Sequence, residues 1–108
     1  MWLDLPPGYM VNDWILWQKG KLIAARLRVT PALVRVAIER LQNQPGGIFP
    51  ASEEWLNLLQ EKEIEELAAI LESPEHEGQR LRSSSPFVGE PFIEPEEIEA
   101  IRERAYLG

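Results

Sequence analysis

The 108-residue chain has no cysteine. That excludes a disulfide framework, a thiolate metal site and a cysteine nucleophile, and it suits a reducing cytoplasm. It has one histidine, His76 in "PEHEG". A lone imidazole among glutamates on a loop builds no metal donor set, so no metal and no cofactor is expected. No apolar run exceeds a few residues, so no segment is expected to span a bilayer. The opening "MWLDLPPGYM" lacks a basic stretch followed by an apolar one, and no signal peptide is expected there. There is no glycine-rich phosphate loop and no pairing of a nucleophile with a base. The glutamates between 61 and 66 have neither histidine nor cysteine beside them and read as a solvated helix face, not as catalytic carboxylates. These omissions predict a cytoplasmic protein that is not an enzyme.

Positive charge is also scarce. Eleven Lys+Arg face 18 Asp+Glu, for a net charge of −7. The imbalance is uneven along the chain. Residues 1–50 carry six basic and three acidic groups, whereas residues 51–108 carry five basic and fifteen acidic groups. A mildly basic half is therefore joined to a strongly acidic one.

What is present is helical periodicity. "LPPG" at 5–8 reads as a turn. Asn12 or Asp13 is placed to cap a first helix carrying Trp14, Ile15 and Trp17, with Gly20 as its stop. The spacing of Trp14 and Trp17, with Trp2 and Tyr9 nearby, suits a core helix better than an exposed aromatic platform. A short second helix is predicted from Lys21 to Arg28. Thr30-Pro31 suits the start of a third, with threonine capping free backbone N–H groups and proline at the first helical position. Val34, Ala37, Ile38 and Leu41 follow at i, i+3, i+4, i+7 and predict its buried face. "NQPGG" ends it.

Ser52 is placed to cap an acidic amphipathic segment, 51–72, whose stripe runs through Leu56, Leu59, Ile64, Leu67 and Leu71, with a break near Gln60–Lys62. Residues 73–95 hold prolines, glycines and a serine run without sustained period, and predict an extended, partly disordered connector open to proteolysis. Its "RLRSSSP" places arginines before serines, compatible with phosphorylation. Pro95 opens a last helix, 96–108, with acids early and Arg102 and Arg104 late, as the helix dipole favours. The fold expected is all-α: a tri-helical helix-turn-helix module over 1–50, the acidic helix, the connector and the C-terminal helix.

"IAARL", "RVT" and "PALVRVAIERL", together residues 22–41, resemble the helix-turn-helix of bacterial transcription regulators, most closely the winged-helix repressors of the GntR kind. Ala24 falls where that family keeps a small residue between its two helices. Leu27 and Val29 fall on its buried positions beside the turn, and Thr30 on its usual cap. Arg28 stands where the family commonly has a turn glycine, a left-handed conformation that would cost about 1 kcal/mol. The resemblance covers about 20 of 108 residues, and "IF" is all the chain offers for a wing.

The resemblance implies a DNA-binding surface. Turning Val34, Ile38 and Leu41 inward leaves Ala32, Arg35, Val36, Glu39 and Asn43 outward, as base-reading candidates with Thr30. Lys21, Arg26, Arg28 and Arg40 would contact phosphates. Two functions follow. One is a small DNA-binding transcriptional regulator that dimerises through the acidic helix and holds a protein partner through residues 73–108. The other is a protein-interaction module that uses the same fold without DNA.

Overall fold

The structure, a computed structural model, describes residues 11–47 and 49–107. Among them are six helices: α1 (Val11–Val29), α2 (Leu33–Gln42), α3 (Pro50–Glu61), α4 (Ile64–Glu72), α5 (His76–Arg82) and α6 (Pro95–Leu107). The all-α expectation holds. The turn expected at 5–8, Trp2 and Tyr9 lie outside the described residues.

The first correction concerns α1. Asn12 and Asp13 sit inside its first turn and do not cap it, and Gly20 does not stop it. The two short helices expected on either side of Gly20 are one helix of 19 residues. A mid-helix glycine costs roughly 1 kcal/mol relative to alanine, but here it lets another helix approach. A Cβ at position 20 would lie 2.3 Å from the Leu71 backbone oxygen and 3.0 Å from the Arg82 Cδ. Helix α1 packs most extensively on α4 and also touches α5 and α6, and Ile15, Gly20, Ile23, Ala24 and Leu27 are buried along it. Burial on several sides outweighs the local stop signal. Gly20→Ala should therefore destabilise by about 1–3 kcal/mol, the usual cost of overpacking, although helix propensity alone favours alanine. Urea unfolding of the two proteins checks the sign.

The turn after α1 is also built differently from expectation. Arg28 is helical, and no described residue other than glycine has positive φ. The Thr30 N–H continues α1 by donating to the Arg26 carbonyl at 2.8 Å. The Thr30 and Pro31 carbonyls then accept from Leu33 and Val34, each at 3.1 Å. No side chain caps α2. Thr30 acts through its backbone, so Thr30→Val should shift the melting midpoint by no more than about 2 °C, where a lost cap of about 1 kcal/mol would lower it by roughly 4–8 °C.

Helix α2 buries Ala37 and Leu41, while Val34 and Ile38 are half-buried. It lies on α3, and its packing against α1 is slight. The two glycines of "PGG", with φ of +83° and +91°, make the reversal that L-side chains resist. Pro50 then opens α3 at its first turn. Ser52 lies inside that helix and donates to the Gln44 Oε1 at 3.2 Å, so it is no cap. The acidic segment breaks as expected near residue 62. Lys62 and Glu63 are extended, and the Glu63 N–H donates back to the Glu66 carboxylate at 3.1 Å as α4 begins.

Residues 73–95 are not a disordered connector. They form α5 and a loop that sends Phe87, Phe92 and Ile93 into the core. Trp55 from α3 meets Phe87 edge to face at 5.7 Å, and Phe87 meets Phe92 in the same way at 5.1 Å. Such geometry suits the ring quadrupoles. The Trp55 Nε1–H donates to the Leu81 carbonyl at 2.8 Å. One hydrophobic core runs through all six helices, so residues 11–47 share their core with the acidic half. The stripe expected to dimerise is spent within it: Leu59, Leu67 and Leu71 are buried, and Leu56 and Ile64 half-buried.

Candidate interaction surface

The residues expected on DNA divide into those the fold consumes and those it leaves outward. Arg26 donates to the Phe92 carbonyl at 2.8 Å and forms a two-pronged pair with Glu97 at 2.8 and 2.9 Å. Arg28 bridges α1 to α4, pairing with both carboxylate oxygens of Glu72 and with Glu65 at 3.2 Å. Arg40 donates to the Val88 carbonyl at 3.1 Å and the Glu90 carbonyl at 2.6 Å, and lies 5.1 Å over the Phe92 ring. Planar guanidinium groups suit paired acceptors. These arginines hold the acidic half and its loop onto the basic half.

The pairs leave their mark on ionisation. Hydrogen bonds from Arg28 hold the Glu72 carboxyl below its ordinary value, and those from Arg26 do the same for Glu97. The guanidinium groups of Arg26 and Arg28 are correspondingly raised by their carboxylate partners.

Lys21 and Arg35 have no carboxylate or carbonyl partner among the described residues. Lys21 instead lies 4.2 Å over the Trp17 ring, and Trp17 itself donates to the Glu72 carbonyl at 2.7 Å. Trp14 is half-buried with Arg104 at 5.4 Å over its ring, so both tryptophans belong to the packing of α1.

The outer face of α2 is partly as expected. Ala32, Arg35, Glu39 and Asn43 are exposed, but Val36 is half-buried against the core. The Asn43 side-chain amide is spent on the Glu39 carbonyl at 2.9 Å. Two shallow hollows flank the α1–α2 turn. One is lined by Leu22, Ala25, Val29 and Leu33 with Arg26, Thr30 and Pro91, and the other by Val34 and Ile38 with Pro31, Ala32, Arg35, Glu39 and Gln42. Thr30 lines the first and Pro31 the second, so the hollows meet at the turn. Val29 is 84% exposed, although the resemblance placed it on a buried position. Nothing in the local pattern marked it as outward, because whether α2 folds back over it depends on which neighbour α2 chooses.

Neither His76 nor the serine run builds a rival site among the described residues. His76 is exposed at the start of α5, and no group of three His, Asp or Glu side chains among the described residues is placed to hold a metal. In "RLRSSSP" the Ser83 hydroxyl donates to the Arg80 carbonyl at 2.6 Å, and Arg82 is buried. No described helix is long and apolar enough to cross a membrane. Comparison of the chain with protein-family models, curated proteins and solved structures gives no match.

Proposed function

We propose that the protein is a helical interaction module that binds another protein through the hollows on either side of the α1–α2 turn. The observation that carries this reading is the engagement of Arg26, Arg28 and Arg40 by the protein's own carboxylates and carbonyls. Neutralising a phosphate requires a cation that is not already neutralised, and on this face that leaves Lys21 and Arg35. Binding of duplex DNA by two cations would fall with salt at a log–log slope near −2, far from the slopes of proteins with six to ten phosphate contacts. The same face offers apolar surface instead: Val29 outward, Leu22 and Leu33 beside it, and Val34 and Ile38 across the turn. A partner segment with small apolar side chains in the hollows, and carboxylates near Lys21 and Arg35, complements it.

The second reading is a DNA-binding regulator, which Ala32, Arg35 and Glu39 favour by sharing the exposed side of α2. Two measurements separate the readings. A photo-crosslinking residue at position 29, introduced in the cells that make the protein, should yield a discrete protein adduct that is lost on Leu22→Glu. The same residue at position 61, at the end of α3, should yield none. Fluorescence anisotropy on labelled duplexes between about 0.02 and about 0.15 M salt should show weak binding with a slope no steeper than about −2. A slope near −6, reduced by about one unit in Lys21→Ala, with sequence preference lost in Arg35→Ala, would instead establish the DNA reading.

A further inference from the structure

On α1, Leu16, Lys19, Gly20 and Ile23 recur at the i, i+3, i+4, i+7 spacing of a single helix face. All four stand in the wall of a part-open pocket of about 180 Å³, to which the loop after α5 adds Phe87 and α6 adds Ile98. A lysine therefore lies in a stripe whose other members are apolar. Lys19 is half-exposed, so its stem covers apolar surface while its amine stays within reach of solvent. The pocket shares no lining residue with the two hollows at the α1–α2 turn, so a role for it stands or falls separately from the protein-binding reading.

Charge sets Lys19 apart from the other two lysines of the chain. Lys21 holds its ammonium 4.2 Å over the Trp17 ring, and Lys62 lies 3.9 Å from the Glu66 carboxylate. Both contacts favour the charged form. Lys19 makes no ion pair among the described residues, and the charge acting on it is of its own sign, the Arg102 guanidinium of α6. Burial and that repulsion make the Lys19 ammonium easier to deprotonate than usual. A partly desolvated amine beside a second cation is the arrangement that turns a lysine into a nucleophile.

We propose that Lys19 is a modification site whose ε-amine takes a short apolar acyl group from a thioester. The amine lone pair forms a C–N bond to the thioester carbonyl carbon, the C–S bond breaks, and sulfur leaves with the electron pair. The proton shed by nitrogen ends on the departing thiolate, so amine and thioester become amide and thiol with no other reactant. The product suits its surroundings better than the lysine does. The amide is neutral, which ends the repulsion from Arg102, and the acyl chain lies against Leu16, Ile23 and Phe87. The pocket slightly exceeds the cavity of about 150 Å³ that admits benzene in an engineered core, which is room for a chain of a few carbons. An aldehyde would instead give an imine, which takes up a proton and restores the charge.

The probes are the N-acetylcysteamine thioesters of butanoate and acetate, incubated with the full-length protein at neutral pH. Initial rates at each lysine are read by peptide mass spectrometry. Butanoylation of Lys19 is expected to be at least about fivefold faster than that of Lys21 or Lys62. Acetyl has less chain to place in the pocket, so its preference for Lys19 should be smaller by about twofold or more. Arg102→Gln should slow Lys19 by about twofold or more and leave Lys21 unchanged. Arg102 is exposed, and circular dichroism verifies that this variant is folded. In urea, with the pocket gone, Lys19 and Lys21 should react within about twofold of each other. Lys19 reacting no faster than Lys21 in the folded protein would overturn the proposal. So would a preference that survives in urea, ignores Arg102→Gln, or is equal for the two acyl groups.

Discussion

A Leu67→Glu, Leu71→Glu variant is expected to show no cooperative unfolding transition at all. Both leucines are 1% exposed on α4, the helix that packs most extensively on α1. Truncating one such side chain costs about 2–5 kcal/mol. Glutamate does more harm than truncation, because it also carries a carboxylate out of water into the same space. Two such changes together are comparable with the 5–15 kcal/mol or so that holds a domain of this size together. Far-ultraviolet circular dichroism against temperature, with proton shift dispersion, measures the outcome. Leu67→Ala alone should leave a folded protein with a lower midpoint. If the double variant melted cooperatively as a monomer, the stripe would be an outer, dimer-forming face and the interior placement of α4 would be wrong.

Trp55→Ala should cost about 3–5 kcal/mol, the range for emptying a large aromatic site. Trp55 is 0% exposed, and it joins α3 to the loop after α5 through Phe87 and through the Leu81 carbonyl. Trp55→Phe separates the two contributions. It keeps a ring against Phe87 but loses the indole N–H. The Leu81 carbonyl still accepts from the Ser84 N–H at 3.2 Å, so it is not orphaned. The phenylalanine variant should therefore lose about 1–2 kcal/mol, mostly the net value of one hydrogen bond and some volume. Urea unfolding with unchanged slope is the measurement. Equal losses for both variants would place the stabilisation in the hydrogen bond, not in the packed rings.

Some of this architecture was legible along the chain. The α2 face through Ala37 and Leu41, the break near residue 62 and the last helix from Pro95 all rest on neighbours three or four residues apart, and local periodicity reports them. Gly20 and residues 73–95 misled for a shared reason. A glycine in a helical stretch and a proline- and serine-rich loop carry the same local marks whether they lie at a surface or against another element. Only the approach of the Leu71 carbonyl explains Gly20, and only Trp55, Arg26 and Arg40 explain why the loop holding Phe87 and Phe92 is ordered. The candidate surface was half legible. Ala32, Arg35 and Glu39 were expected outward and are exposed, while Arg26, Arg28 and Arg40 were expected outward and are engaged.

The opposite charges of the two halves and the absence of cysteine are properties of the sequence by itself, and so is the helical class, because hydrophobic period and charge need no partner to be expressed. The sequence also set which residues were able to form ion pairs. Which pairs formed was decided by the tertiary structure. Laying α4 and α6 against α1 brings Glu72 to Arg28 and Glu97 to Arg26 across 44 and 71 residues of chain. The same packing buries Arg82 and leaves Val29 in water. Charge acts through distance in space, and for residues so far apart in the chain that distance exists only after the helices have packed.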